Sequence, residues 1–311
     1  MTTLVADVGG TNTRVALCDT PAAPRDVARF RNADHASLDA VLRAYLAARG
    51  HPPVHAACVA VAGPVRGGAA RLTNLPWEID AASLRAATGA TEAHVINDMA
   101  AQGHALDDVA ATLLTGPRTR CDPGETRLVV GLGTGFNAAP VHPLGAGDYV
   151  VVPSECGHAS LPVWDDASLD LARALAARHG FASIEEVLSG RGLTAVNAHV
   201  AGPDARTDTA ALIAALHDEP APGDRATAAM FSAALGRVLG DLALVHLPFG
   251  GLYLIGGLAR AMAPFLAAHG FAEAFRDKGR FAGFMDAFAV SVIADDYAAL
   301  TGCARYVRRQ G

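Results

Sequence analysis

One pattern occurs twice in the chain and constrains the fold more than any other feature. The apolar run Leu4-Val-Ala-Asp-Val8 meets the turn Gly9-Gly10-Thr11-Asn12 and continues as Arg14-Val-Ala-Leu17. Leu128-Val-Val-Gly131 meets Gly133-Thr134-Gly135, 123 positions later, and continues as Phe136 to Val141. Each reads as strand, glycine turn, strand, which predicts a β-hairpin. Glycine lets such a turn bring backbone N–H groups against phosphate oxygens. Two related halves, each opening this way, predict a ligand between two α/β lobes.

The length of 311 residues agrees with two domains. Hydrophobic residues are 51% and charged residues 18%, which excludes a disordered chain. A net charge of −6 gives no footprint for nucleic acid or an anionic membrane. Five cysteines, Cys18, Cys58, Cys121, Cys156 and Cys303, are scattered without a C-x-x-C pair, so a reducing cytoplasm is expected. Met1 to Ala6 has no signal-peptide character. The uncharged run Leu242 to Ala259 is long enough to suggest a membrane span. Its prolines and glycines instead predict a helix end, a turn, a buried strand and a glycine turn.

Apolar spacing predicts helices over 37–49, 81–87, 169–179 and 225–246, and strands over 56–62, 94–97, 149–152 and 289–294. Asp98 reads as the N-cap of a helix from Met99 to Leu106. Residues 115–125 form a linker or long loop, 201–209 and 218–224 are loops, and Arg305 to Arg309 reads as a solvated end.

Asp7 ends a strand beside the first glycine turn, where a carboxylate can hold a hydrated Mg²⁺. Gly131-Leu-Gly-Thr-Gly135 invites a dinucleotide-binding reading, but such a turn must open a helix and a strand follows here. Asp98 lies at a strand end, where it can take a proton from a substrate hydroxyl or simply cap a helix. Ser154-Glu155-Cys-Gly-His158 can grip a polyhydroxylated ligand; Cys156 and His158 alternatively make half a metal site. Leu254-Ile-Gly-Gly257 is a strand entering a glycine turn. There is no G-x-x-x-x-G-K-[ST], and the single lysine, Lys278, sits in Asp277-Lys-Gly-Arg280, which argues against a P-loop. No G-x-S-x-G elbow is present.

Taken in order, Asp7–Arg14, Leu72-Thr-Asn74 with Trp77, Ile96-Asn-Asp98, Gly131–Gly135, Glu155–His158, Val187–Leu193, Leu254–Gly257 and Asp277-Lys-Gly-Arg-Phe281 resemble bacterial glucokinases of the hexokinase group. The resemblance spans nearly the whole chain. It implies the two-lobed, actin-like (ribonuclease H-like) α/β sugar kinase fold with a cleft between lobes. A small lobe would comprise 1–108 joined by the tail 297–311, and a large lobe 109–296.

The resemblance further implies ATP-dependent phosphorylation of glucose at O6, with Asp98 as the base. Asn97, Glu155, His158 and Glu185 would bind the sugar, with Thr73 and Asn74 lining the same cleft. Gly9, Gly10, Thr11, Gly133, Thr134 and Gly135 would surround the ATP phosphates. Gly256 and Gly257 would lie by the adenosine, and Asp7 would hold Mg²⁺ through water. The expected partner is glucose or a related hexose, with no nucleic acid and no membrane; a homodimer is left open. Alternatives are a kinase for another hexose, a non-catalytic sugar sensor on the same fold, or a phosphotransferase acting on a carboxylate. The chain departs from the usual residues of that family at Asn137 and Cys156 (both usually Gly), at Ala159-Ser160 (often Val-Asp) and at Arg191 (often Pro).

Overall fold

The computed structural model describes residues 2–19, 24–72, 75–117, 124–145 and 148–310; Thr73, Asn74 and Cys121 lie outside the described residues. The chain divides into two compact units, Met1–Val109 with Asp295–Gly311, and Ala110–Ala294.

In the first unit β1 (Thr3–Val8) turns back into β2 (Asn12–Cys18), with Val8 opposite Thr13. β3 (Pro24–Arg31) pairs with β2 and leads to α1 (Leu38–Ala47), which starts where the Ser37 side chain accepts from Ala40 N. β4 (Ala56–Val61) runs parallel to β1. A small sheet of β5 (Val65–Arg66), β6 (Ala69–Arg71) and β7 (Glu78–Asp80) precedes α2 (Ala81–Thr88). β8 (Glu92–Asn97) runs parallel to β4 and passes directly into α3 (Asp98–Ala105). The strand order is β3-β2-β1-β4-β8.

Side chains alternate across a strand, so β1 serves two buried faces. Leu4, Ala6 and Val8 pack with Val41, Leu42 and Tyr45 of α1, while Val5 joins Cys58 and Ile96 on the other face. Covering both faces lets the strand be apolar on both sides over Leu4–Ala6, as a strand flanked by a parallel neighbour often is.

The second unit contains β9 (Ala111–Thr115), β10 (Arg127–Leu132), β11 (Phe136–Gly145) and β12 (Asp148–Val151). Next come α4 (Asp166–His179), α5 (Gly190–Ala201), α6 (Thr209–His217) and α7 (Pro222–His246). β13 (Leu252–Ile255), α8 (Gly257–Leu266), α9 (Phe271–Arg276) and β14 (Val290–Ile293) complete it. Its order is β12-β11-β10-β13-β14-β9. Strands β12-β11-β10-β13-β14 repeat the plan of the first sheet: two antiparallel pairings through the hairpin, then two parallel ones. The repeated sequence pattern is therefore a repeated sheet. α10 (Ala298–Gln310) ends the chain in the first unit, packing Leu300, Cys303 and Val307 against the face that holds Val5 and Cys58.

Several expectations need correction. Arg305 to Arg309 is not a solvated end but the last turns of α10. Tyr306 packs edge-on against His94 and His104, and Arg305 reaches Asp107 and Asp108 at 3.1 and 2.8 Å. α7 starts at Pro222 rather than Arg225, because proline is well placed in a first helical turn, where its missing N–H is not needed. The stretch 242–259 is the end of α7, a turn, β13, Gly256 and the start of α8, so the glycine turn opens a helix. By length and composition α7 could cross a membrane, but 56% of its apolar window is buried, and Phe231, Leu235, Val238 and Leu239 lie in the core of the second unit. The Asp277-Lys-Gly-Arg-Phe281 motif is a strap: Lys278 Nζ donates to Asp241 Oδ1 at 2.6 Å and to the Arg237 carbonyl at 3.1 Å, and Arg237 pairs with Asp277 at 2.7 Å. It fastens the chain after α9 to α7.

Candidate active site

In the first unit the turn after β1 is tied from below. Gly9 N donates to the Asn12 carbonyl at 3.0 Å. Asn32, only 1% exposed, donates from Nδ2 to the Gly9 carbonyl at 2.8 Å and accepts from Thr13 Oγ1 at 2.8 Å. Its backbone N–H donates to the Thr11 carbonyl at 2.9 Å. Gly10 and Thr11 are left exposed at the tip. A Cβ on Gly9 would meet only the Asn12 carbonyl oxygen, at 3.4 Å, so the chain itself makes little demand for glycine there.

Asp7 faces Arg14 across the hairpin, with Oδ2 3.3 Å from the guanidinium. Burial pushes its carboxyl upward against the opposing pull of Arg14. A single carboxylate beside a glycine turn suits Mg²⁺, which keeps several waters and binds through one or two carboxylates plus phosphates.

At the end of β8 the expected cap is corrected. Asn97, not Asp98, is the N-cap of α3: its Oδ1 accepts from Met99 N at 2.9 Å and its Nδ2 donates to the Gly63 carbonyl at 3.0 Å. Asp98 is the first helical residue, half-buried, with Oδ1 2.8 Å from Met99 N. Capping thus falls to the neutral amide.

In the second unit Gly133 N donates to the Gly135 carbonyl at 3.0 Å, and Gly190 N, opening α5, donates to the Gly133 carbonyl at 2.9 Å. Nothing lies within 4 Å of a Cβ on Gly133, whereas one on Gly135 would stand 2.5 Å from Glu185 Oε2. That carboxylate oxygen accepts from Phe136 N at 3.0 Å, and Oε1 pairs with Arg191 at 2.9 Å. Arg191 also reaches Glu186 at 2.8 Å. Glu185 is therefore half-buried and held on both oxygens, an arrangement that its sequence surroundings did not signal.

The sugar-loop candidates Glu155 and His158 are both exposed; Glu155 precedes a short helical turn, Cys156–His158, and His158 ends it. Gly157 is buried beneath them, and a Cβ there would overlap the Phe136 carbonyl oxygen. Cys156 is not aligned for metal: its N–H and Sγ point to Asn137 Oδ1 at 3.2 and 3.5 Å, and burial pushes the thiol up. Among the described residues no group of three His, Cys, Asp or Glu side chains could hold a metal ion.

After β13, Gly256 has φ +109° and no room for a Cβ beside the Leu132 carbonyl, while Gly257 has nothing within 4 Å of a Cβ. Gly256 is thus required by the protein's own backbone, and Gly257 leaves open space at the first turn of α8. Asp7, Gly9, Gly10, Thr11, Asn97 and Asp98 belong to the first unit; Gly133, Thr134, Gly135, Glu155, His158, Glu185, Gly256 and Gly257 belong to the second.

Comparison with known proteins gives the family. The glucokinase family model matches residues 4–310. The chain belongs to the glucokinase family. A glucokinase of Pectobacterium atrosepticum is 33% identical over 312 residues, covering 98% of this chain and 97% of that one. A crystal structure of a glucokinase from an Antarctic psychrotroph superposes with a TM-score of 0.86 at 31% identity, covering 99% of each chain. A glucokinase of the ROK group from Streptomyces griseus, solved with glucose and AMPPNP, shares the fold at a TM-score of 0.67 and 19% identity, with both chains fully covered. The fold is the α/β actin-like fold of sugar kinases, as the sequence motifs implied. The reaction of the glucokinase family is ATP-dependent phosphorylation of glucose, and the chain is an enzyme of that class.

Proposed function

We propose that the chain transfers the γ-phosphoryl group of ATP to O6 of glucose or a closely related hexose, with residues of each unit serving the reaction. The observation that carries this reading is the contact between Gly135 and Glu185. A glycine turn of phosphate-binding form is packed directly against a carboxylate suited to a sugar hydroxyl. Phosphate and sugar would meet where the turn and the carboxylate meet.

Phosphoryl transfer asks a protein mainly to position reactants and to stabilise charge. Asp98 takes the proton of O6 as O6 bonds to the γ-phosphorus; the bond from that phosphorus to the β-phosphate oxygen breaks, and ADP leaves. The Met99 N–H holds one Asp98 oxygen, which fixes the orientation of the base. Glu155, His158, Glu185 and Asn97 orient the sugar, together with Thr73 and Asn74. Backbone N–H groups of Gly10, Thr11, Thr134 and Gly135 would face the phosphates, with Gly9 and Gly133 holding the two turns in shape through their own N–H groups and Gly256 and Gly257 beside the adenosine. Asp7 would hold Mg²⁺ through water, and Mg²⁺ when bound offsets charge on the phosphate oxygens. A cytoplasmic setting belongs to the same reading and is supported by Cys18, Cys58, Cys156 and Cys303, all of them free.

The test is Asp98→Asn assayed with Mg-ATP and a panel of hexoses. The amide keeps the shape and loses the base, so kcat should fall by about 10²–10⁴-fold while the protein stays folded. Turnover close to that of the parent would remove Asp98 from the role.

A further inference from the structure

Consecutive residues at the start of β11 hold two of the proposed sugar carboxylates. The Phe136 backbone N–H holds Glu185, and the next side chain, Asn137, reaches the Glu155 loop. Asn137 Nδ2 donates to the Ser154 carbonyl and lies 3.4 Å from Glu155 Oε2. Asn137 Oδ1 accepts from Ala138 N at 2.8 Å and from Cys156 N at 3.2 Å. The orientation of this amide follows from its partners. Ser154 O can only accept and Cys156 N can only donate, so the NH₂ group must face Ser154 O and Glu155. Ser154 Oγ also reaches the Ala138 carbonyl at 2.6 Å, closing the loop onto β11 a second time.

We propose that Asn137 is a positioning residue for hexose recognition: it fixes the Ser154–Cys156 loop on β11 and aims the Glu155 carboxylate at one sugar hydroxyl. The proposal rests on the reading of Glu155 as a sugar ligand. Glu155 is exposed, and Asn137 is the group that ties its carboxylate to the body of the unit. An acceptor held in one place discriminates between a hydroxyl in the right position and one that is missing or inverted. A freely turning carboxylate discriminates much less.

The test compares Asn137→Asp, Asn137→Ala and Glu155→Gln with the parent enzyme. Steady-state kinetics are taken with glucose and with each monodeoxyglucose that retains O6, alongside KM for ATP and a melting curve. Asn137→Asp turns an NH₂ group into a carboxylate oxygen facing Ser154 O and Glu155, so Glu155 should be pushed away. The glucose KM should rise about tenfold, with the ATP KM within twofold of the parent. The decisive readout is the pattern across the sugars. For the analogue that lacks the hydroxyl read by Glu155, the penalty of Asn137→Asp and of Glu155→Gln should both disappear. A penalty equal across all sugars, or an ATP KM that rises in step with the glucose KM, would overturn the proposal. If Asn137→Asp does not fold, Asn137→Ala carries the same comparison, with a smaller rise and the same pattern. If Glu155→Gln leaves every sugar KM unchanged, the sugar role of Glu155 fails. If Glu155→Gln shows the pattern and neither Asn137 variant does, only the role of Asn137 fails.

Discussion

The two glycine hairpins are built on one sheet plan, yet they are secured in different ways. In both, a central strand pairs antiparallel with its successor and parallel with a later strand. The first turn is tied by a buried neutral amide, Asn32, whose side chain bonds Thr13 and the Gly9 carbonyl of the hairpin. The second is tied by Glu185, a carboxylate proposed to meet the sugar, and by Gly190 at the start of α5. Equivalent cross-strand seats differ as well: Asp7 faces Arg14 in the first hairpin, and Gly131 faces Asn137 in the second. With no side chain on its partner across the strand, Asn137 is free to bond the sugar loop. A duplicated fold has thus separated two tasks. One turn is held by an amide with no proposed part in sugar binding, and the other by a carboxylate proposed to bind the sugar.

The largest effect should come from breaking the shared support. Gly135→Ala places a methyl 2.5 Å from Glu185 Oε2. The carboxylate must move, and the Phe136 N–H loses its partner. Misplacement of a reacting group by about 1 Å can cost about 10²-fold in rate, and kcat/KM should fall on that scale with both KM values raised. Gly9→Ala, where a Cβ meets only the Asn12 carbonyl at 3.4 Å, should leave the glucose KM unchanged and raise only the ATP KM. Initial-rate kinetics varying each substrate decide it. Equal two-substrate defects in both variants would end the distinction between the hairpins.

A smaller effect is expected at the Asn32 support. Asn32→Ala leaves the Gly9 carbonyl and the Thr13 hydroxyl without their partner in a buried site. The loss should be roughly 1–3 kcal/mol of stability. The ATP KM should rise about tenfold as the turn loosens, and sugar affinity measured by calorimetry without nucleotide should hold. Weakened sugar binding in a folded Asn32→Ala protein would show that the first hairpin also shares its support.

The hairpins themselves were legible because strand–Gly–strand is a local signal: the apolar runs and the turn residues lie within 14 positions. So were α1 and α2, whose apolar spacing and caps are contiguous. The supports were not legible. Asn32 stands 23 positions from Gly9, and Glu185 stands 49 from Phe136; each contact depends on tertiary packing. α5 and α8 open on glycines, at Gly190 and Gly257, and a glycine at a helix start reads as a turn. α10 was missed for a different reason. Its arginines suggest solvent, but Arg305 spends its charge on Asp107 and Asp108 while Cys303 and Val307 of the same helix are buried. Asn97 and Asp98 were legible as the junction of a strand and a helix, but the capping role was given to the wrong one of the pair, because both residue types cap well and only geometry chooses between them.

The smallest effect sharpens the contrast at the cross-strand seats. Asp7 is a carboxylate whose native proton affinity is raised, chiefly by burial, with Arg14 pulling the other way. Between the ordinary value of 3.8 and that raised value, the native state holds more protons than the unfolded chain. Stability contributed by this group therefore falls as pH rises through that window and stays at its lower level above it. Asp7→Asn removes the ionisation while keeping the shape. It should melt about 1–3 °C higher than the parent at pH 7, with the difference shrinking as pH falls through the window. Arg14 keeps about a third of its side-chain surface in solvent, so the loss of its partner should offset only part of this gain. The same variant should raise the KM for Mg-ATP, since the carboxylate is proposed to hold the metal's water. A melting series from acid to neutral pH, read beside ATP kinetics, separates the two consequences. A lower melting temperature at pH 7, or a difference that does not change with pH, would mean that the Arg14 pair outweighs burial and that Asp7 is a structural link. A gain in stability coupled to a loss of ATP use would mark Asp7 as a residue kept at a cost to the fold, which nothing at Gly131 in the second hairpin can match.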